Sequence, residues 1–227
     1  MPSGTGKLYI VGTPIGNMED ITLRALRVLR EADLIAAEDT RHTGILLARH
    51  GLKKPFVSYH EFNEARRTPE LLRELQQGRQ IALVSDAGMP TLSDPGQRLI
   101  RAAIDAGIAV EVIPGVSAVT AALAGSGCGG PFLFSGFLPH KSGQRRTALT
   151  RLAPLPCTLV FFESPYRLLK SLGDMRDVLG NRGVVVAREL TKKFEEFLRG
   201  DIESVLKKLE NRTIKGEITV IVEGRQE

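Results

Sequence analysis

The sequence predicts an α/β protein built from two domains, and three patterns carry that prediction. Short apolar runs alternate with longer amphipathic segments, as strands and helices do in this fold class. Glycine and proline cluster where the apolar runs end, which is typical of loops that follow strands. After Gly115 the composition shifts to an alanine- and glycine-rich stretch over residues 117–130. We therefore expect a domain of residues 1–115 with a mainly parallel sheet and one of residues 116–227 with a mixed sheet.

In the first half, residues 7–12 (KLYIVG) form the predicted first strand. Asp20 is a suitable N-cap for the helix that follows, and Ser93 or Asp94 can cap a later helix that ends before Gly107. The apolar side of the first helix is predicted to carry Leu23, Leu26, Val28 and Leu29. Further strands are expected at residues 33–37, 80–85 and 109–113.

In the second half, Ser164 and Pro165 combine a capping residue with proline at the first helical position, which predicts a helix start. The apolar runs between turn residues predict strands at residues 131–137, 158–162, 183–187, 194–198 and 217–223.

Composition narrows the class of protein. The 227 residues are 42% hydrophobic and 25% charged, as in ordinary globular chains. No apolar run approaches the roughly 20 residues that span a bilayer, so we expect no membrane association. Cys128 and Cys157 are too few and too isolated for a disulfide framework or a zinc site, which favours a reduced, cytoplasmic setting.

The charge of the chain is basic and unevenly distributed. The net charge is +5 and the estimated pI is 9.4. Acidic residues are missing between Glu111 and Glu163, while Lys141, Arg145 and Arg146 fall close together there. This basic stretch (residues 141–151) fits either a solvated face or contact with a nucleic acid.

Four strand ends are rich in glycine and proline. In open α/β sheets ligands bind beyond the carboxyl ends of strands, and glycine there lets a ligand approach the main chain. These loops therefore predict a site for a polar small molecule, although each alone could be only a tight turn. They are residues 12–17 (GTPIGN), 85–90 (SDAGMP), 114–118 (PGVSA) and 161–165 (FFESP).

The sequence lacks the motifs of several other kinds of site. The first loop is GxxxG and not the GxGxxG of a dinucleotide site, and a GxSxG hydrolase elbow is absent. The histidines have no metal-ligand spacing, so we expect no metal. They are His42, His50, His60 and His140.

Read together, the loop motifs resemble those of the tetrapyrrole methylase superfamily. Within it, the chain is most similar to enzymes that methylate a cytidine ribose 2′-hydroxyl of ribosomal RNA. The resemblance extends over the whole chain, and the ordered set of motifs is highly specific. The matching segments are GTPIGN at 12–17, AEDTR at 37–41, SDAGMPTLSDPG at 85–96, PGVSA at 114–118, SGFLP at 135–139, FFESPYR at 161–167 and RELTKKFEE at 188–196.

The resemblance implies two α/β/α domains of the class III methyltransferase type with S-adenosylmethionine in the interdomain cleft. It also implies a homodimer that acts on the decoding region of 16S ribosomal RNA, within the assembled small ribosomal subunit. Carried over to this sequence, the cofactor-binding positions are Pro14, Asp86, Ala87, Gly88, Met89, Ser117, Ala118, Glu163 and Leu190.

Methyl transfer to a ribose hydroxyl needs alignment and a group that accepts or steers its proton. The carboxylates at predicted strand ends are Asp39, Asp86, Glu163 and Glu189, of which we take Asp39 first. Arg41 and Lys192 could hold the flanking phosphates. Structural alternatives stay open, since Asp39 can cap a helix that begins near Arg41 and Glu189 can pair with Lys192. We expect RNA contacts from Lys141, Arg145, Arg146 and Arg167.

Two other functions remain open. An enzyme of the same scaffold could act on a corrinoid or porphyrin precursor, but that acceptor favours a cleft lined by apolar groups. An RNA-binding or assembly module without catalysis would not need four shaped loops.

Overall fold

The computed structural model describes residues 6–225, which divide into two compact units. The first extends to Ser117 and the second begins at Ala118. Both are α/β, so the predicted fold class is confirmed. Among the described residues, no helix has the length and apolar character needed to cross a membrane.

The first unit is a parallel sheet of five strands in the order β3-β2-β4-β1-β5, with helices on both faces. One face buries Val28 and Leu29 of helix α1, and the other buries Leu75 and Leu99 of helices α3 and α4. The strands are β1 Lys7–Val11, β2 Leu34–Ala37, β3 Phe56–Ser58, β4 Gln80–Val84 and β5 Ala109–Ile113. The helices are α1 Leu23–Glu31, α2 Thr40–Arg49, α3 Glu64–Gln76 and α4 Gln97–Asp105.

Two predicted helix starts in this unit are wrong. Thr22, not Asp20, caps α1, because its hydroxyl accepts the N–H of Ala25. Leu23 is consequently 87% exposed, although Val28 and Leu29 are buried as expected.

Helix α4 begins at Gln97, after Gly96, so neither Ser93 nor Asp94 caps it. Gly96 has φ +135° and turns the chain into the helix. Ser93 and Asp94 belong instead to the long loop after β4.

The second unit is a mixed sheet in the order β6-β7-β10-β8-β9, as expected for this half. β6 and β7 are parallel, and the remaining neighbours are antiparallel. Its main core packs Phe161 and Val220 of the sheet against Leu149, Leu172 and Val205 of the helices. The strands are β6 Phe132–Phe137, β7 Thr158–Glu163, β8 Gly183–Arg188, β9 Glu196–Asp201 and β10 Ile218–Val222. The helices are α5 Ala118–Ser126, α6 Ser142–Leu152, α7 Leu168–Leu179 and α8 Ile202–Leu209.

Helix α7 begins at Leu168, later than Ser164 and Pro165 predicted. The N–H groups of Arg167 and Leu168 both donate to the Ser164 carbonyl, at 3.0 Å each, so a turn precedes the helix. Strand β9 likewise begins at Glu196, two residues after the predicted start.

Candidate active site

The loops after β1 and β5 meet through two glycines. A Cβ on Gly12 would lie 2.7 Å from the Cα of Gly115 and equally close to the Sδ of Met89. A Cβ on Gly115 would lie 2.9 Å from the Cα of Gly12. Because real Cβ atoms do not approach so closely, only glycine lets the two backbones touch here.

The loop after β4 is fixed to the same place by Thr13. Thr13 and Gly88 exchange backbone hydrogen bonds of 2.9 and 3.0 Å, and the Thr13 hydroxyl donates to the Ser85 carbonyl. The N–H and C=O of Gly88 are therefore engaged within the protein. With φ +80°, Gly88 shapes the loop, and binding groups must come from its neighbours. The structure thus joins the loops that hold Pro14, Ala87, Met89 and Ser117 into one surface of the first unit.

Two of the motif segments contain strained backbone. Among the described residues, the non-glycine residues with positive φ are Thr91, Ser93, Glu189 and Thr191. Left-handed backbone costs an L-residue roughly 1–2 kcal/mol, and such outliers concentrate at functional sites. Thr91 and Ser93 lie in the loop after β4, and Glu189 and Thr191 lie in the loop after β8.

Carboxylates cross-link the ends of β2 and β4. The Asp39 N–H donates to Asp86 Oδ1 at 3.0 Å, and the Asp86 N–H donates to Glu38 Oε2 at 3.3 Å. Both hydrogen bonds orient carboxylates at the carboxyl edge of the sheet. Glu38 is a member of this group that the sequence analysis did not single out.

Asp39 caps α2, which was one of the alternatives left open. Its Oδ1 accepts the Arg41 N–H at 2.8 Å, and its Oδ2 lies 2.6 Å from Arg41 Nη2. The Arg41 side chain and then its backbone N–H hold the pKa of Asp39 well below its usual range. A carboxylate so stabilised is a weak base, which weighs against the expected role of Asp39 as proton acceptor. Arg41 is 88% exposed at its side chain, so it remains accessible to a phosphate.

In the second unit, the Glu163 side chain is directed inward. It is 3% exposed, accepts the Ser164 N–H at 2.7 Å and accepts the Ser171 hydroxyl. Arg167 pairs with it at 3.3 Å and donates to the Leu138 carbonyl at 2.6 Å. Both side chains thus stabilise this unit, and the expectation that Arg167 binds RNA is not supported by its environment.

Lys192 lies between two carboxylates after β8. Its Nζ is 2.9 Å from Glu189 Oε1 and 2.6 Å from Glu217 Oε2. Burial acts to raise the pKa of Glu189, but the hydrogen bonds from Lys192 and the Glu217 N–H outweigh it, and the pKa is lowered. Burial acts to lower the pKa of Lys192, but both carboxylates outweigh it, and the pKa is raised. The Glu189–Lys192 pair was the second alternative, and Leu190 between them is 8% exposed.

Two arginines of the basic stretch form ion pairs with aspartates of α7. Arg145 is 3% exposed, and its Nε donates to Asp174 Oδ2 at 2.7 Å. It also donates to the His140 carbonyl, so its prediction as a phosphate ligand is corrected to a structural role. Arg146 pairs with Asp174 and Asp177 but keeps 45% of its side chain exposed, and Lys141 is exposed.

Each unit contains a cavity. One of about 530 Å³ lies in the first unit beside Glu38 and Asp94. A larger one, about 770 Å³, lies by Gly183 and Gly224, at the opposite end of the second sheet from Glu163. Within the described residues, no group of three or more His, Cys, Asp or Glu side chains is placed to hold a metal ion.

The fold and the joined loops define a class. The sequence model of the tetrapyrrole (corrin/porphyrin) methylases matches residues 7–206, and the chain belongs to this family. A uroporphyrin-III-C-methyltransferase from Thermus thermophilus is 25% identical, with a TM-score of 0.64 over 95% of this chain and 94% of that one. Another structure of that enzyme, complexed with S-adenyl homocysteine, is 21% identical with a TM-score of 0.66 over 95% and 97% of the two chains.

Closer relatives identify the branch. A ribosomal RNA small subunit methyltransferase I of Halalkalibacterium halodurans is 53% identical over 98% of this chain and 77% of its own length. The protein of the same name from Thermotoga maritima is 49% identical over 97% of this chain and 100% of its own. The chain groups with these relatives and is a methyltransferase, which confirms the resemblance found in its motifs.

Proposed function

We propose that this chain transfers the methyl group of S-adenosylmethionine to the ribose 2′-hydroxyl of a cytidine in the decoding region of 16S ribosomal RNA. The observation that carries the proposal is the 49–53% identity, over nearly the whole chain, to relatives named for small-subunit ribosomal RNA. The motif segments named above support the ribose acceptor. Its substrate would be the assembled small subunit in the cytoplasm, and the working form a homodimer.

The first-unit loops fit the methyl donor. S-adenosylmethionine supplies a sulfonium-bound methyl group that is already electrophilic, so no metal is needed. The contact of Gly12 with Gly115 brings two loop backbones together without side chains between them, which suits a ligand held by main-chain groups. We propose that Pro14, Asp86, Ala87, Met89 and Ser117 line this binding surface and that Gly88 shapes it. Ala118, the next residue in the chain, is a further proposed contact of the cofactor.

The second-unit residues would act differently. Because the Glu163 carboxylate is engaged by Ser164 and Ser171, we propose that this residue binds S-adenosylmethionine through its backbone, and that Leu190, which is buried, contributes an apolar contact. Lys192, held by Glu189 and Glu217, would orient an RNA phosphate through a charge-assisted hydrogen bond. Arg41 would bind a second phosphate, oriented by Asp39.

Transfer of labelled methyl groups to small ribosomal subunits that lack the modification tests the acceptor. We expect label in 16S RNA at one cytidine whose 3′ linkage resists alkaline hydrolysis, because a 2′-O-methyl group removes the attacking hydroxyl. Protein-free 16S RNA and a uroporphyrin precursor serve as alternative acceptors. Label on a base, or transfer to the tetrapyrrole alone, would contradict the proposal.

A glycine pair tests the donor site. Gly12→Ala should weaken binding of S-adenosylhomocysteine at least tenfold, because its Cβ would push the β1 loop from Gly115 and Met89. Gly44→Ala is the matched control: it lies in α2, its Cβ would meet only Phe56 at 3.9 Å, and affinity should stay unchanged. Calorimetry measures the affinity of both variants for S-adenosylhomocysteine. If Gly12→Ala binds it as tightly as the wild type, these loops do not form the donor site.

A further inference from the structure

The 530 Å³ cavity of the first unit lies at the carboxyl edge of the sheet, beyond β2, β3 and β4. Glu38 follows β2, His60 and Phe62 follow β3, and Asp94 belongs to the loop after β4. Phe62 is 88% exposed beside it. An exposed aromatic ring next to a polar cavity is a platform on which a base can stack.

One loop connects this cavity to the proposed methyl-donor surface. At Gly88 the loop after β4 pairs with Thr13, and a few residues later Ser93 and Asp94 form the cavity wall. The left-handed backbone of Thr91 and Ser93 turns the loop between these two places. A nucleoside in the cavity would therefore be separated from the donor loops by a single segment of chain.

The charges of the wall select the kind of group that can enter. Glu38, Glu61, Glu64 and Asp94 line the cavity together with His60, and Arg98 pairs with Glu64 at 3.4 Å. Such a surface repels phosphates and accepts hydrogen bonds from neutral donors. Ribose hydroxyls and the cytosine amino group are donors of this kind.

Asp94 is the carboxyl group of this wall best suited to exchange a proton. Burial, followed by the charges of Glu38 and Asp86, raises its pKa to about 7, while the neighbouring Ser85 hydroxyl acts in the opposite direction. Ser85 is 2% exposed, and its Oγ has no hydrogen bond of good geometry within the described residues. Burial also raises the pKa of Glu38, although the hydrogen bond that its carboxylate accepts from the Asp86 N–H acts in the opposite direction. A base that titrates near the working pH is the most effective proton acceptor.

We propose that the Glu38–Asp94 cavity receives the acceptor nucleoside and that Asp94 accepts the proton of its 2′-hydroxyl. This inference rests on the proposed function. The ribose oxygen forms the bond to the methyl carbon as the sulfur–carbon bond breaks, and that bond's electron pair stays on sulfur. The hydroxyl proton passes to the Asp94 carboxylate, which returns it to water after product release.

Single-turnover methyl transfer to small subunits between pH 5.5 and 9 tests the assignment. The wild-type rate should rise about tenfold per pH unit below pH 7 and level off above it. Asp94→Asn should lose about 10²–10⁴-fold in rate and its pH dependence, while S-adenosylhomocysteine binds as in the wild type. Asp105→Asn, an exposed carboxylate on α4, is the matched control and should behave as wild type.

The outcomes separate the two proposals. An Asp94→Asn variant as fast as wild type overturns the role of Asp94 and leaves the proposed function standing. A slow variant that keeps the wild-type pH profile makes Asp94 a positioning residue and overturns proton acceptance. A wild-type protein that transfers no methyl group to ribosomal RNA overturns the proposed function and this inference with it.

Discussion

At the scale of single residues, the two aspartates after β2 and β4 differ because their neighbours differ. Asp39 faces a cation and backbone N–H donors, which lower its pKa. Asp94 faces Glu38 and Asp86 in a half-buried place, which raises its pKa. Its position at a strand end made Asp39 the first candidate for the group that accepts the hydroxyl proton, whereas the charges and burial around Asp94 favour Asp94.

Asp39→Asn should therefore change the rate of methyl transfer without changing its pH dependence. Asparagine is an equally good helix cap, so α2 should persist. A group whose pKa lies well below its usual range is ionised throughout pH 5.5–9 and cannot produce an inflection there. We expect at most about a tenfold loss in rate, from poorer placement of Arg41. An altered inflection near pH 7 in the variant would return Asp39 to the proton-transfer step.

Asp94 should also affect stability. Folding raises the pKa of Asp94, so its ionised form lowers the stability of the folded state. This destabilisation is absent below about pH 4, where the group is protonated in both states, and complete above about pH 7. Asp94→Asn should accordingly raise Tm at pH 8, by about 2–4 °C for each kcal/mol regained. The difference from wild type should vanish at pH 4. Thermal unfolding at both pH values decides, and an equal effect at both would show that the charge of Asp94 is not responsible.

At the scale of elements, the buried ion pair between α6 and α7 fastens two helices of the second unit. Asp174→Asn leaves the Arg145 cation uncompensated, and breaking a buried pair costs about 3–5 kcal/mol. Asp177→Asn, whose side chain is 36% exposed, should cost at most about 1 kcal/mol. Hydrogen exchange of α6 and α7 measures both. Equal protection in the two variants would contradict a structural role for the Arg145 pair.

The sequence predicted strands better than helix starts or side-chain partners. The apolar run at residues 80–85, for example, coincides with β4, whose residues Ile81 to Val84 are all buried. The helix start predicted at Ser164 and Pro165 falls one turn before α7, because serine and proline also begin turns. Strand β3 spans only Phe56–Ser58, too few residues for a pattern.

Site residues were harder to predict where the partner is distant in sequence. Arg145 looked free because its partner Asp174 lies in another helix. The cavity was missed because Glu38, Phe62 and Asp94 follow three different strands, and only the parallel sheet brings them together. The special shape of the loops after β1, β4 and β5 was predictable because glycine and proline mark backbone shape directly.

At the scale of the whole molecule, the excess of positive charge predicts salt-dependent RNA binding. Lys141 and Arg151 are the exposed cations that begin and end the basic stretch. Lys141→Ala with Arg151→Ala should flatten the dependence of log affinity on log salt by about 0.7 per lost phosphate contact. The affinity for S-adenosylhomocysteine should not change. An unaltered salt slope would leave this stretch as a solvated face.

The strand order of the first unit also determines when its site can form. β1 lies between β4 and β5, so the first strand of this unit can complete its pairing only after the last strand, β5, has been synthesised. Contacts between residues so far apart in sequence form slowly, because a long loop must close first. In contrast, β8 and β9 are neighbours in both sequence and sheet. We expect the β8–β9 hairpin to mature early on the folding pathway, and the junction of Gly12 with Gly115 to be among the last native contacts.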